Sequence, residues 1–147
     1  MLRPIRTDDV GLIIEMLLAL HVESPHYSKV RPDHNYVRTT LTSMIEQPAF
    51  IGYIDVDLRG FMFGIANRTW FDSELNAYEL LLYILPDYRG TSLAPRLIKQ
   101  FEHAARALGC IHVRAGTSTN VNTERTLRLY ERLGYTREAN TVSKRIN

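Results

Sequence analysis

Cysteine and metal-binding patterns are nearly absent from this sequence. It contains one cysteine, Cys110, so no disulfide bond can form within the chain. The apolar neighbours Ile111 and Val113 indicate that Cys110 is a buried strand residue rather than a nucleophile. The five histidines show no spacing typical of metal ligands, so we expect no metal site.

Long apolar runs and strong charge of one sign are also lacking. The longest apolar cluster, Val10 to Leu20, is interrupted by Gly11 and Glu15 and is too short to cross a bilayer. The first residues lack the apolar segment of a secretion signal. A net charge of +2, without a run of like charges, argues against binding to nucleic acid. We therefore expect a soluble, cytoplasmic protein with no nucleic-acid or membrane partner.

Two common nucleotide-binding motifs are missing as well. No Gly-x-x-x-x-Gly-Lys-(Ser/Thr) loop occurs, and Lys99 lies too far into a predicted helix to serve as the lysine of such a loop. No Gly-x-Gly-x-x-Gly follows a predicted strand, so the dinucleotide fingerprint is absent. A phosphate-binding site in this chain must therefore have another form.

The residues that are present predict alternating strands and helices. The chain has 147 residues, 45% hydrophobic and 23% charged, as expected for one compact domain over residues 1–147. Thr7 is predicted to cap the first helix. The predicted helices run from Thr7 to about His21, over Val37 to Ile45, from Leu93 to Leu108 and from Asn122 to Leu133. The predicted strands cover Leu2 to Arg6, Phe50 to Ile54, Gly60 to Thr69, residues 75 to 85, Ile111 to Ala115, and a final pair formed by Gly134-Tyr135 and Thr141 to Ile146.

The stretch from Tyr83 to Ala94 joins a buried strand to an amphipathic helix. Pro86 ends the strand, and the small residues from Gly90 to Ser92 form a turn before the helix. The N–H groups in a helix's first turn lack partners, and the helix dipole adds positive charge there. Such an end can bind an anion without a lysine or arginine, although an ordinary strand-to-helix connection has the same shape.

This turn resembles a family motif. The segment Arg89 to Ala94 is similar to the (Gln/Arg)-x-x-Gly-x-(Gly/Ala) loop of the GNAT family of N-acetyltransferases, with Ser92 where the family usually has glycine. Pro95 follows in the first helical turn, where its missing N–H costs little. The resemblance implies that the phosphate bound at this turn belongs to coenzyme A.

A second motif strengthens the resemblance. The segment Leu127 to Tyr135 looks like the family's Leu-Tyr-x-x-x-Gly-(Phe/Tyr) segment, at the spacing from the loop that the family has. Its Asn-x-x-Ala lead-in is imperfect, because Thr123 and Thr126 occupy the Asn and Ala positions. Asn120 and Asn122 stay open as candidate cofactor contacts.

The resemblance covers nearly the whole chain and implies a fold and an activity. The implied fold is α/β (α+β), with a mixed, mostly antiparallel sheet of six to seven strands flanked by about four helices. The implied activity is direct transfer of an acetyl group from acetyl-CoA to a primary amine, in a ternary complex. A non-catalytic acyl-CoA-binding or interaction module with the same fold is the alternative. The implied cofactor contacts are Ile84, Leu85, Arg89, Gly90, Thr91, Ser92, Leu93, Ala94, Asn120, Asn122 and Tyr130.

Three residues carry the implied chemistry. Tyr130 occupies the position of the general acid that protonates the departing thiolate; the alternative is an aromatic ring packed in the core with its hydroxyl satisfied. Glu79 lies where some family members deliver a carboxylate to the acceptor amine, although a strand glutamate can also face solvent or pair with an arginine. The backbone N–H of Ile84 is implied to stabilise the oxyanion.

Arg125, Arg128 and Arg132 share one face of the last predicted helix. They could meet the 3′-phosphate of the cofactor. A solvated face, with Glu124 paired to Arg128, is the interpretation favoured by helix spacing.

The sequence says least about the identity of the acceptor. Acidic residues beside aromatic ones would suit a cationic amine, in a small molecule or a peptide. The resemblance also allows a homodimer. The implied acceptor-binding residues are Glu23, His26, Tyr27, Trp70, Phe71, Asp72 and Glu74.

Overall fold

In the computed structural model, which describes residues 1–71, 73–117, 119–138 and 142–147, the chain forms one sheet with helices on both faces. The strands are β1 (Leu2–Pro4), β2 (Phe50–Asp55), β3 (Gly60–Arg68), β4 (Leu75–Ile84) and β5 (His112–Arg114). The helices are α1 (Val10–Glu23), α2 (His34–Ile45), α3 (Leu93–Ala107) and α4 (Thr123–Arg132). Short 3-10 turns lie at Thr7–Asp9, Tyr27–Lys29 and Pro86–Tyr88.

The strands follow one another in the sheet in chain order. Neighbouring strands are antiparallel from β1 to β4, whereas β4 and β5 run parallel. The parallel pair is short, because only Asn76 to Tyr78 of β4 face β5. Beyond Tyr78, β4 continues to Ile84 without β5 beside it. The sheet therefore opens along the second half of β4.

A bulge in β4 marks the place where the sheet opens. Phe63 of β3 faces Leu81, but the next residue, Gly64, faces Glu79, so Leu80 has no partner in β3. An extra residue of this kind bends its strand and increases the local twist. Gly64 permits the close approach: a Cβ atom there would lie 2.0 Å from the carbonyl oxygen of Tyr78.

Successive side chains along the strands point to opposite faces of the sheet, so each face packs into its own hydrophobic core. In β3, Phe61 and Phe63 belong to the core beneath α1 and α2, whereas Met62 belongs to the core beneath α3. Burying a large apolar side chain contributes about 1.5–3 kcal/mol. The α3 core also holds Phe101 and Tyr130 of α4, so α4 is anchored on the same face of the sheet. These two layers position the open edge of β4.

The mixed, mostly antiparallel sheet and the four helices are confirmed, but the strand number is not. The described residues form five strands rather than six or seven. The predicted terminal strand pair is wrong for the described residues 134–138 and 142–147, which form no strand. Val142 is 94% and Ile146 82% exposed. An alternating pattern specifies a strand only where one face can be buried, and here neither apolar residue is buried.

The start of the first helix also differs from the prediction. α1 begins at Val10, after a 3-10 turn, and extends to Glu23. The carboxylate of Asp9, rather than Thr7, organises this start. It accepts the Arg6 N–H at 2.8 Å and two N–H groups of Arg3 at 2.7 Å each. The ion pair with Arg3 on β1 joins the helix start to the edge of the sheet.

Candidate active site

A cleft of about 610 Å³ occupies the opening beside β4. The second half of β4 forms one wall, and α4 with the loop before it forms the other. One end is closed by the turn from Tyr88 to Thr91 and by the first residues of α3, Ala94 and Pro95. The strand-to-helix turn predicted to hold phosphate therefore borders this cleft.

The backbone of β4 turns polar groups into the cleft. Leu85 donates its N–H to the Arg59 carbonyl at 2.9 Å, so the preceding residue, Ile84, occupies a position that does not bond to β3. Its N–H and C=O groups therefore face away from β3, toward the cleft. The same alternation turns the N–H of Leu82 in this direction. The N–H of Ile84 thus lies in the cleft wall.

The carboxylate of Glu79 bridges the opening between the two strands. It accepts the Gly116 N–H at 3.1 Å, and the N–H of Leu82 is turned toward it. Burial raises the pKa of Glu79 to about 7, and the N–H groups of Gly116 and Leu82 oppose part of the shift. A carboxylate with a pKa near neutrality is suited to take a proton at physiological pH.

Tyr130 lies on the buried side of α4 and is 4% exposed. Its hydroxyl has no hydrogen-bond partner among the described residues, and its ring meets that of Tyr135 edge-on with centroids 5.0 Å apart. Burial, reinforced by the charge of Glu79, raises the pKa of Tyr130 above its ordinary value. Leu129 lines the cleft but Tyr130 does not. The ring is packed, and the hydroxyl of Tyr130, like that of Tyr135, is buried without a hydrogen-bond partner among the described residues. Unsatisfied buried polar groups are uncommon in folded proteins.

The loop before α3 presents backbone N–H groups. Gly90 has a φ angle of +79°, a conformation that glycine adopts without strain. Leu93 donates its N–H to the Thr91 hydroxyl at 3.3 Å, and Pro95 has no N–H. No acceptor in the described part of the chain receives the N–H groups at 90, 91, 92 and 94. Neighbouring unpaired N–H groups at a helix start suit a phosphate.

The side chain of Arg89 is directed away from this loop. It donates Nη1 to Glu23 Oε2 at 2.9 Å, Nη2 to Glu23 Oε1, and Nε to the Ile84 carbonyl at 2.9 Å. The Tyr83 hydroxyl also donates to Glu23 Oε1, at 2.7 Å. The hydrogen bonds from Arg89 hold the pKa of Glu23 below its usual value. Arg89, which was predicted to contact the cofactor, and Glu23, which was predicted to contact the acceptor, are therefore paired with each other.

A family comparison decides the class of this site. The model of the acetyltransferase (GNAT) family matches residues 15–135, which include the loop, the cleft and α4. The chain belongs to the GNAT family. No curated protein sequence matches this GNAT chain.

Solved GNAT structures share its fold over the full length. An aminoglycoside acetyltransferase from an uncultured soil metagenomic sample has a TM-score of 0.73 and 19% identity, covering 100% of this chain and 98% of its own. AAC(6')-Iy, solved with the bisubstrate analogue CoA-S-monomethyl-acetylneamine, has a TM-score of 0.77 and 15% identity, covering 100% and 97%. A ribosomal-protein-alanine N-acetyltransferase from Brucella melitensis biovar Abortus 2308 has a TM-score of 0.71 and 17% identity, covering 99% of each chain. At these identities the likeness establishes the acyltransferase fold.

In this GNAT protein the predicted acceptor residues lie outside the cleft. Trp70 and Phe71 are 95% and 81% exposed in the turn between β3 and β4, with Glu74 in the same turn. His26 and Tyr27 stack edge-on in the loop after α1. Asp72 lies outside the described residues. None of the described candidates, Glu23 included, lines the cleft.

Other residues close the cleft near the end of α1, and the sequence did not identify them. Leu20, Thr119 and Val121 line this end. Ser24, which is 1% exposed, donates its hydroxyl to the Thr119 carbonyl and accepts the Tyr27 N–H at 3.0 Å. This bond joins the end of α1 to the loop before α4. It spans 95 residues of sequence, and no local pattern announces it.

The two candidate asparagines differ. Asn122 lines the cleft at the start of α4, whereas Asn120 does not. Both adopt left-handed backbone angles, with φ of 54° at Asn120 and 48° at Asn122. The carbonyl of Asn122 accepts the N–H and the hydroxyl of Thr126. The lead-in to the second motif therefore contacts the cleft through Asn122.

No described helix is long and apolar enough to cross a membrane. No group of three or more histidine, cysteine or acidic side chains within residues 1–71, 73–117, 119–138 and 142–147 is arranged to hold a metal ion.

Proposed function

We propose that this GNAT protein transfers the acetyl group of acetyl-CoA directly to a primary amine, in a ternary complex and without a covalent enzyme intermediate. The observation that carries the proposal is the half-buried Glu79 carboxylate, with a pKa of about 7, in a cleft whose wall also presents the Ile84 N–H. A proton acceptor and an oxyanion donor on one strand are what aminolysis of a thioester requires.

Two features of the site suit coenzyme A. Unpaired N–H groups at residues 90, 91, 92 and 94 suit the diphosphate. The hydroxyl of Tyr130, which does not line the cleft but has no partner among the described residues, is available for a polar atom of the thioester end. Acetyl-CoA supplies an activated acyl carbonyl. Of the predicted contacts, Ile84, Arg89, Gly90, Thr91, Ala94 and Asn122 line the cleft, whereas Leu85, Ser92, Leu93, Asn120 and Tyr130 do not.

Glu79 acts as the general base in this proposal. An alkyl amine has a pKa near 10.4 in water and attacks only after losing a proton. Glu79 is held in position by the N–H of Gly116, and in its ionised form it can take that proton directly or through water. The N–H of Ile84 then stabilises the negative charge that develops on the acyl oxygen.

Tyr130 acts as the general acid. Its raised pKa keeps the hydroxyl protonated throughout the physiological range. A thiolate whose conjugate acid has a pKa near 8.5 can accept this proton on departure. The proposal requires the hydroxyl to meet the cofactor sulfur, and its lack of any other described partner supports that assignment.

The acceptor is proposed as a primary amine in a small molecule or peptide. Proteins that share this fold include an aminoglycoside acetyltransferase and a ribosomal-protein-alanine N-acetyltransferase. The cytoplasmic location, the extent of the domain over residues 1–147 and a homodimer stay predictions from the sequence.

A non-catalytic acyl-CoA-binding module is the second candidate. The burial of Tyr130, which does not line the cleft, favours it. Thermal melting with and without acetyl-CoA tests cofactor binding, which both candidates require. Release of free thiol with a panel of amines separates them: acceptor-dependent release supports the transferase, and its absence across the panel, with acetyl-CoA bound, supports the module.

A further inference from the structure

The loop proposed to hold the diphosphate has no free cation of its own. All three donor groups of Arg89 are engaged, by Glu23 and by the Ile84 carbonyl. The start of α3 is also short of donors, because Leu93 bonds to Thr91 and Pro95 has no N–H. Without another cation, only backbone N–H groups would balance the two negative charges of a diphosphate. A cation from another element would add the charge that these N–H groups do not supply.

Arg125 of α4 lies against this loop from the opposite wall. A Cβ atom added to Gly90 would be 2.7 Å from Arg125 Nη2, so the guanidinium occupies the space that the missing side chain leaves. Both residues line the cleft. The glycine thus serves two purposes: it adopts the positive φ of the turn, and it admits the guanidinium.

Arg125, like Arg132 and unlike Arg128, has no partner among the described residues. It makes no hydrogen bond or ion pair with any residue that the structure describes. One turn further along, Arg128 pairs with Glu124 at 3.2 Å. Glu124 also pairs with Arg137, so its charge is already balanced by two arginines. An uncompensated guanidinium beside a row of free N–H groups suits a phosphate, which it can contact with two N–H donors.

We propose that Arg125 binds the diphosphate of coenzyme A from the α4 wall, opposite the N–H groups of residues 90–94. This inference rests on the proposed function, since it assigns a residue to the same cofactor site. It reverses the favoured interpretation of the sequence, in which the arginines of α4 form a solvated face. Arg89 holds the loop in place, and Arg125 supplies the charge.

The test compares Arg125→Ala with the wild type against three ligands, by calorimetric titration. CoA and dephospho-CoA both contain the diphosphate, whereas pantetheine contains no phosphate. We expect Arg125→Ala to weaken CoA and dephospho-CoA about tenfold or more, by similar factors, because a hydrogen-bonded ion pair is lost. Binding of pantetheine, measured at millimolar concentration, should be unchanged.

Two further variants control for charge and shape. Arg96→Ala removes the same charge near the start of α3, but Arg96 is exposed and does not line the cleft, so CoA affinity should change less than about twofold. Arg125→Lys keeps the charge and loses the fork of donors, so its CoA affinity should lie between those of the wild type and Arg125→Ala. Because Arg125 is exposed and unpaired, the melting temperature of Arg125→Ala should match the wild type.

The outcomes separate the inference from the function on which it rests. CoA affinity of Arg125→Ala within twofold of the wild type would overturn the inference. A loss for CoA but not for dephospho-CoA would assign the contact to the 3′-phosphate and contradict it. An equal loss for CoA and pantetheine would indicate a damaged cleft, also against it. A wild type that binds no CoA would reject the proposed function itself.

Discussion

Arg89 and Glu23 join two distant elements through paired hydrogen bonds. The residues are 66 positions apart, and their side chains are 22% and 24% exposed. Because Arg89 also holds the Ile84 carbonyl, and Tyr83 donates to Glu23, one guanidinium connects α1, the end of β4 and the loop before α3. The shape of the proposed phosphate loop therefore depends on the end of α1.

Glu23→Gln should destabilise the protein by about 1–3 kcal/mol, because a partly buried guanidinium loses its charged partner. The pKa of Glu23 is lowered from its ordinary value of 4.5. The ion pair therefore stabilises the fold fully above that value, and its contribution is lost as pH falls through the lowered pKa. Urea denaturation at pH 7 and below pH 4 measures the difference, which should shrink in acid.

Glu15→Gln is the matched control, because Glu15 is exposed on the same helix and the chemical change is identical. It should change stability by less than about 0.5 kcal/mol. Equal effects of the two substitutions at pH 7 would show that the pair between Glu23 and Arg89 does not stabilise the fold.

Local pattern predicted the local structure well. Both α2 and the strands β2, β3 and β4 end within a few residues of their predicted bounds, because amphipathic periodicity and turn residues are properties of neighbouring positions. The strand-to-helix turn at Gly90 was predicted for the same reason.

The features that local patterns did not predict depend on contacts between residues far apart in the sequence. The bond from Ser24 to Thr119 spans 95 residues, and the bulge at Leu80 exists only because β3 and β4 pair in a particular register. The engagement of Arg89 by Glu23 is of the same kind. No single-sequence pattern reports a pairing of this type, so these contacts could not be predicted from the sequence.

Glu79→Gln tests the general base. The wild-type rate should rise with pH through about 7 as Glu79 ionises, whereas the variant should lose that rise and turn over roughly 100-fold more slowly above pH 7. Thiol release with an accepted amine measures both. A pH profile in the variant that keeps the wild-type midpoint would assign the base to another group.

The stability of Glu79→Gln relative to the wild type should also depend on pH. Because the folded pKa of Glu79 is raised, its neutral form stabilises the wild type fully below about pH 4.5, and this contribution is lost as pH rises through about 7. The melting temperature of the variant relative to the wild type should therefore increase from pH 5 to pH 8. A constant difference would contradict the raised pKa.

Tyr130→Phe separates packing from chemistry. The ring remains, and the hydroxyl that is removed has no described partner, so stability should be unchanged or slightly higher. Turnover should fall by about 100-fold if the hydroxyl protonates the thiolate. Tyr135→Phe makes the same change in the adjoining ring and should keep turnover within about twofold. Full turnover by Tyr130→Phe would reduce Tyr130 to a packing residue.

Gly90→Ala should weaken coenzyme A and destabilise the fold. Its φ of +79° costs a non-glycine residue about 1–2 kcal/mol, and the new Cβ would displace the guanidinium of Arg125. Gly109→Ala is a close control, since Gly109 has φ of +88° at the end of α3 and no atom within 4 Å of its Cβ position. Both variants should lose similar stability in urea denaturation. Only Gly90→Ala should lose CoA affinity, because only there does the added carbon reach the phosphate site; equal affinities would mean that the space over Gly90 is not used.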